Sequence, residues 1–416
     1  MDLVKSLFKG DKVVWIIFLF LCLISIVEVF SAASTLTYKT GDHWAPITQH
    51  SIILMVGVVV VLITHNINYK YFQVLPVFLV PLSVILLAFV MLMGVITGDR
   101  VNGAARWMSF FGIQFQPSEL AKMAVIIAVS FILSKTQEEN GANNKAFKFI
   151  MIITGLICLL IAPENLSTAA LLFGVVFLMM FIGRVPLKKL LTLVGSIFLV
   201  IAFLVAVTFA VPENTNIPFL HRLTTWKARI VGFANPKEDN IPAAKFDIDK
   251  DGQIAHAKIA IASSNLIGKM PGNSVERDFL SQAFSDFIFA IIIEELGLIG
   301  GGFVVVLYIW LLIRAGRIAQ KCERTFPAFL VMGIALMLVS QAIMNMCVAV
   351  GLIPVTGQPL PLISKGGTST LINCAYIGMI LSVSRYTIKQ EEKTEQTINE
   401  AKENKVTEEF AEETLV

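Results

Sequence analysis

Long apolar runs separated by short polar breaks dominate the chain. They fall at about residues 14–33, 50–65, 74–97, 117–134, 148–162, 167–183, 190–211, 286–313, 326–350 and 369–385. A helix crossing a bilayer uses roughly 20 mostly apolar residues, so the pattern predicts a bundle of about ten transmembrane helices. The expected fold is an all-α integral membrane protein with a long extracytoplasmic loop, 212–285, between the seventh and eighth helices. Beyond Tyr386 the chain holds nine Glu and four Lys with no apolar period. That stretch, 386–416, reads as a disordered cytoplasmic tail on a membrane unit spanning 1–385. The first run resembles a signal peptide, with Lys5, Lys9 and Lys12 before it and Ser31, Ala32 and Ala33 at its end. With further apolar spans behind it, it reads as a retained anchor.

Composition sharpens this picture. Hydrophobic residues make up 56% of the 416 positions and charged residues 15%, with a mean hydropathy of +0.76. A soluble chain reaches roughly 45–50% apolar only with glycine counted, and carries about 25% charge. A soluble enzyme, a disordered chain and a nucleic-acid binder are all excluded. The net charge of +3 says little, but its distribution says more. With the N-terminus inside, the short cytoplasmic segments before the tail collect fourteen Lys and Arg and the short outer loops collect four. This asymmetry predicts both termini in the cytoplasm, with the protein in the cytoplasmic membrane among its lipids. The five cysteines are isolated and the five histidines scattered, so neither a disulfide framework nor a zinc site is expected.

Three outer features carry candidate chemistry. In the loop 98–118, a turn-rich run Gly98-Asp-Arg100-Val-Asn102-Gly-Ala-Ala-Arg106-Trp107 precedes Gln116-Pro-Ser-Glu119-Leu-Ala-Lys122. Pro117 suits a first helical turn, Glu119 suits the dipole there, and Lys122 lies one turn on. This is either a well-capped helix start or an anion site in which Arg100, Arg106 and Lys122 hold a phosphate-bearing headgroup. Glu164 in the turn Pro163-Glu-Asn165 is a weaker candidate. In the long loop, Trp226, Arg229 and Phe233 share one helical face suited to the membrane interface. Asp247 to Gly252 copies half of an EF-hand loop, but Lys258 stands where a bidentate Glu is required, so calcium is not expected.

Asp286 opens the eighth run, where it is either a cap or a functional acid. Glu294 and Glu295 lie about 12–14 Å deeper along a helix. That exceeds the ~5–9.5 Å of paired catalytic carboxylates, so they read as structural. The stretch Gly351 to Ser369 holds three prolines and four glycines yet is apolar. Continuous helix is forbidden there, and irregular backbone at membrane depth survives only inside protein or along a wet cavity. Ser364 to Ser369 reads as a helix start with free N–H groups and Lys365, suited to an anion, or as a simple re-entrant connector.

These residues resemble a known family. Asn102-Gly-Ala-Ala-Arg-Trp107, Gln116-Pro-Ser-Glu-Leu-Ala-Lys122, Ser285-Asp-Phe-Ile-Phe-Ala290, Glu294-Glu-Leu-Gly297, Ile353-Pro-Val-Thr-Gly357 and Leu360-Pro-Leu-Ile-Ser364 are similar to motifs of the SEDS (shape, elongation, division, sporulation) family, in that order. The resemblance covers about residues 14–385. It implies a ten-helix peptidoglycan glycosyltransferase that polymerises lipid II outside the membrane, beside a class B penicillin-binding protein transpeptidase. It further implies Asp286 as the catalytic acid, with Arg106 and Lys122 as cationic positions; a divalent cation, Mg or Mn, is left open. Departures are specific. Phe284 stands where the family often has His, Lys365 where it usually has Tyr, and Pro163-Glu-Asn-Leu-Ser-Thr168 alters the usual P-D-L-G-T turn. Met270 to Ser274 is closer to the division-type members than to the elongation type. A flippase for the lipid-linked precursor is the main alternative, and a scaffold with a vestigial acid is another.

Overall fold

The structure is a computed structural model that describes residues 9–32, 44–96, 107–110, 113–139, 141–210, 248–280 and 283–413. Ten long helices stand where the apolar runs predict them. They are α1 (Lys12–Ala32), α2 (Ala45–Asn66), α3 (Leu75–Ile96), α4 (Pro117–Lys135), α5 (Asn144–Ile161), α6 (Leu166–Ile182), α7 (Leu187–Ala210), α8 (Ile288–Gln320), α9 (Thr325–Ala349) and α10 (Thr368–Glu413). Among the described residues, eight are long and apolar enough to cross a membrane; α6 is apolar but shorter. The outside of the bundle is as apolar as its core: Met55 is 70% exposed and Phe78 67%, while Glu119 and Lys122 are each 1% exposed. Polar inside and apolar outside is the distribution that lipid requires.

The helices α4, α9 and α10 fill the centre. Helix α4 packs on α3 and α9, α8 on α9, and α2 along α10. Gly378 permits that last approach, since a Cβ there would lie 1.7 Å from Thr64 Oγ1. Helix α1 is integral to the bundle, burying Trp15, Phe18 and Leu21 and packing on α8. Both chain ends leave at the same end, where Asp11 pairs with Arg314 at 2.6 Å and Arg385 donates to Asn66 Oδ1 at 3.0 Å.

Two expectations need correction. The tail is not structureless: α10 continues through Glu413, and Lys321 pairs with Glu391 at 2.8 Å. Beyond Gly378 the sequence has neither Gly nor Pro and is rich in Glu, Lys and Gln. These are good helix formers, extending a helix the bundle has already nucleated. The loop 98–118 also contains an unforeseen hairpin, Met108–Phe110 against Ile113–Phe115. Residues 248–262 form a helix, so the EF-hand look-alike is not a calcium loop. Arg100, Arg106, Trp226, Arg229 and Phe233 lie outside the described residues.

Helix α8 is broken at Gly297, whose φ of +73° suits glycine. The break lets the preceding loop press against α8: a Cβ on Gly297 would lie 2.2 Å from Leu266 O. Just before it, Glu294 accepts from Lys269 Nζ at 2.7 Å, Val275 N at 3.0 Å and Ser274 Oγ at 2.5 Å. Glu295 accepts from Ser274 N at 3.2 Å and from the Ser31 hydroxyl of α1. The two acids are therefore structural ties for the loop, as their depth predicted. Gly297→Ala should cost at least about 2 kcal/mol, through a left-handed backbone and a collision with main chain that cannot give way. A thermal unfolding midpoint in detergent equal to wild type would contradict this.

Candidate active site

The polar interior gathers at the end of the bundle from which the loop 263–285 emerges, around the irregular segment 351–367. Pro354, Pro359 and Pro361 deny this segment a helix, and Gly351, Gly357 and Gly367 take positive φ. Its apolar residues Leu360, Leu362 and Ile363 are nonetheless buried. Its backbone must therefore find partners in the protein. On α9, Gln341 donates to Pro359 O at 3.0 Å, and one turn on, Asn345 donates to Gln358 O at 2.8 Å. From α1, Ser25 donates to Ile363 O at 2.6 Å. From α8, the Tyr308 hydroxyl donates to Pro361 O. Gln358 itself donates to Thr168 Oγ1 at 2.6 Å, at the start of α6.

Asp286 sits half-buried just before α8, in a stretch of turns that the segment 351–367 clasps. Its carboxylate accepts from Ser285 Oγ at 3.1 Å, and its main-chain carbonyl accepts from Asn345 Nδ2 at 2.9 Å. Ser364 Oγ donates to Ser285 O at 2.7 Å and accepts from Leu360 N at 2.7 Å. Lys365 N donates to Phe284 O at 3.0 Å, and Lys365 Nζ stands 5.8 Å over the Phe284 ring. The two departures from the family pattern thus lie against each other, two residues from Asp286. The Lys365 ammonium is half-buried and has no carboxylate within 4.0 Å among the described residues; burial pushes its pKa below the usual lysine value.

The other candidates separate into two groups. Lys122 is fully buried on α4, bonded to Glu119 at 2.8 Å and to Gln341 Oε1 at 2.8 Å. Gln341 is one turn of α9 from Asn345, so Lys122 stands about 6 Å deeper than the Asp286 tether. Glu119 keeps one carboxylate oxygen buried and without a hydrogen-bond partner. Glu164 is half-exposed in the turn before α6, and shares a small cleft with Gln116, Ser118 and Asn165 over an apolar wall of Leu87 and Val90. Asn165 caps α6 through Thr168 N at 3.1 Å. Of the N–H groups expected at 364–369, three are taken: Ser364 N and Ser369 N donate to nearby carbonyls and Lys365 N to Phe284 O, and α10 begins at Thr368. Among the described residues no three His, Cys, Asp or Glu side chains converge.

Buried amides crossing from helix to irregular chain are invisible to motif reading. Gln341 and Asn345 had one available signal, two amide side chains at i, i+4 inside an apolar run. Gln358 had none.

The half-buried acid and the half-buried ammonium, which has no carboxylate within 4.0 Å among the described residues, thus lie at one end of a membrane bundle. The family whose sequence model is described as "Cell cycle protein", covering the FtsW, RodA and SpoVE type, matches residues 11–389, and the chain belongs to it. It is 30% identical over 385 residues to a protein of Geobacter metallireducens, covering 91% of this chain and 96% of that one. It is 31% identical over 377 residues to one of Trichlorobacter lovleyi, covering 90% and 93%. Both relatives carry the name "Probable peptidoglycan glycosyltransferase FtsW". Among solved structures it resembles a chain from a study of polymerization and crosslinking by a peptidoglycan synthase complex, with TM-score 0.71 and 24% identity over 91% of this chain and 99% of that one. The Rod shape determining protein RodA of Thermus thermophilus gives TM-score 0.62 and 23% identity over 91% and 98%. At these identities the structural likeness is one of fold.

The buried Lys122–Glu119 pair yields a stability prediction. Lys122→Met strands Glu119 in the core and should cost about 3–5 kcal/mol, whereas Glu119→Gln combined with Lys122→Met should recover most of the loss. Chemical unfolding of the two variants checks this; equal losses would show that the charges are not coupled.

Proposed function

We propose that this chain is a peptidoglycan glycosyltransferase of the division type, polymerising lipid II on the outer face of the cytoplasmic membrane, with Asp286 as general base. The observation that carries the reading is the half-buried carboxyl of Asp286, in a turn whose Phe284 packs against Lys365, at one end of a membrane bundle. The names of the relatives support the reaction class. The count of positive charges supports placing both termini in the cytoplasm, and hence this site outside. A class B penicillin-binding protein is the proposed transpeptidase partner.

Lipid II polymerisation joins a sugar hydroxyl of one molecule to the anomeric carbon of another. The new C–O bond forms as the bond from that carbon to the pyrophosphate oxygen breaks. The departing lipid pyrophosphate keeps the electron pair, and Asp286 takes the hydroxyl proton. Pyrophosphate is already a good leaving group, so what helps is compensation of its growing charge rather than protonation. Lys365 is proposed for that task, with Arg106 and Arg100 as further candidates. Lys122, bonded to Glu119 and Gln341, would act from below, ordering the site floor together with Glu119. Glu164 is assigned to the walls. A divalent ion would be carried by the substrate phosphates, and no step depends on it.

Two outcomes are expected. Asp286→Asn, purified in lipid nanodiscs and supplied with labelled lipid II, should lose polymerisation by roughly 10²–10⁴. Wild-type glycan yield from that variant would remove the base. Vesicle translocation without glycan synthesis by the wild-type protein would favour the flippase instead. Lys365 supplies a pH signature. Its folded pKa lies below the unfolded value, so the unfolded chain binds more protons and stability rises with pH through that window. Lys365→Met should be the more stable protein below the window, lose the rise, and bind lipid pyrophosphate more weakly; an unchanged pH slope would contradict the assignment.

A further inference from the structure

Every side chain's reach is set by the two peptide planes that flank its Cα. For Asp286 both planes are held by buried side chains from other parts of the fold. The carbonyl of Ser285, which belongs to the plane before Asp286, accepts from Ser364 Oγ at 2.7 Å. The carbonyl of Asp286, which belongs to the plane after it, accepts from Asn345 Nδ2 at 2.9 Å. Asn345 is 1% exposed and Ser364 2% exposed. Neither is spare: the same Asn345 amide donates to Gln358 O at 2.8 Å, and the same Ser364 hydroxyl accepts from Leu360 N at 2.7 Å. Each side chain thus ties the turn bearing the acid to the irregular segment 351–367.

With both planes fixed, the backbone angles of Asp286 are fixed relative to α9 and to that segment. Only the side-chain torsions remain to aim the carboxyl. A turn lacking these ties would still carry an acid, but one whose position averages over several backbone states. Base catalysis needs heavy atoms within roughly 2.6–3.2 Å of the proton's donor, and a misplacement of about 1 Å can cost 10²-fold in rate. The predicted motifs placed Ser364 among ligand-facing groups; its geometry instead turns it inward.

We infer that Asn345 and Ser364 are positioning residues for the base, holding the peptide planes on either side of Asp286. This rests on the reading of Asp286 as the base. Both substitutions act on the chemical step and not on the substrate's headgroup contacts, so they should lower kcat while leaving KM nearly unchanged.

The experiment uses the full chain in lipid nanodiscs with labelled lipid II, reading kcat and KM for Asn345→Asp, Ser364→Ala, Ser364→Thr and Asp286→Asn. Asn345→Asp replaces the shared donor by oxygen at constant shape. It should lower kcat by about 100-fold with KM within about threefold. Ser364→Ala should lower kcat by about 10-fold, and Ser364→Thr, which keeps the hydroxyl, should restore most of it. That rescue carries the test on its own if Asn345→Asp does not fold. Folded Asn345→Asp and Ser364→Ala proteins with kcat within threefold of wild type would overturn the inference, as would a loss confined to KM or a threonine variant no better than alanine. An inactive Asp286→Asn beside unaffected positioning variants leaves the base standing and removes only this inference. A fully active Asp286→Asn removes both.

Discussion

An irregular stretch of backbone buried in a membrane protein has no water to satisfy it, and this fold is organised around meeting that demand. The segment 351–367 enters the bundle as a chain of prolines, glycines and apolar side chains. Each of its carbonyls that faces the core must find a donor on a neighbouring helix. Gln341 and Asn345 on α9, Ser25 on α1 and Tyr308 on α8 are those donors. They draw three helices around one connector, and the acid at the head of α8 is caught in the same web. The geometry of the candidate site at this end of the bundle thus follows from keeping a non-helical segment inside a membrane bundle.

A second polar knot operates by the same rule and for a different purpose. Glu294 and Glu295 interrupt an otherwise apolar helix just before Gly297, and the loop 263–280 supplies the lysine, hydroxyl and amide groups that satisfy them. Glu28 of α1 is fully buried near the same place, one turn from Ser31, which reaches Glu295. Buried acids in lipid are costly unless matched, so Glu294 and Glu295, which the loop matches, mark where it is fastened to the bundle. The two knots divide the work: one fastens the loop, the other orders the acid.

The ten helices were legible because run length and hydropathy report membrane spans almost directly. The broken segment was legible for a related reason, since prolines in an apolar context leave few options. Asp286 is singled out by its motif. What escaped were features set by three-dimensional neighbours. A glycine inside an apolar run does not declare a positive φ, so the break in α8 went unseen. Lys122 reads as a cation near a membrane surface, but which face of α4 it occupies depends on α9, and that face is interior. The charged tail failed differently: composition rich in Glu and Lys fits both a disordered extension and a helix propagated from a docked one, and docking decides. Asn345, Gln341 and Gln358 matter because of what they touch across the bundle; the i, i+4 amides of Gln341 and Asn345 hint at a polar partner, but no local pattern says which.

The account stands most directly on whether the segment 351–367 is ordered by its neighbours. Hydrogen–deuterium exchange of the full chain in nanodiscs, followed by mass spectrometry of peptides covering this segment, measures it. The main-chain amides of Leu360, Ile363, Ser364 and Lys365 are all hydrogen-bonded within the bundle. They should therefore exchange as slowly as those of α9. Exchange over these positions at the rate of an exposed loop would contradict the account, because nothing would then hold the turn that carries Asp286.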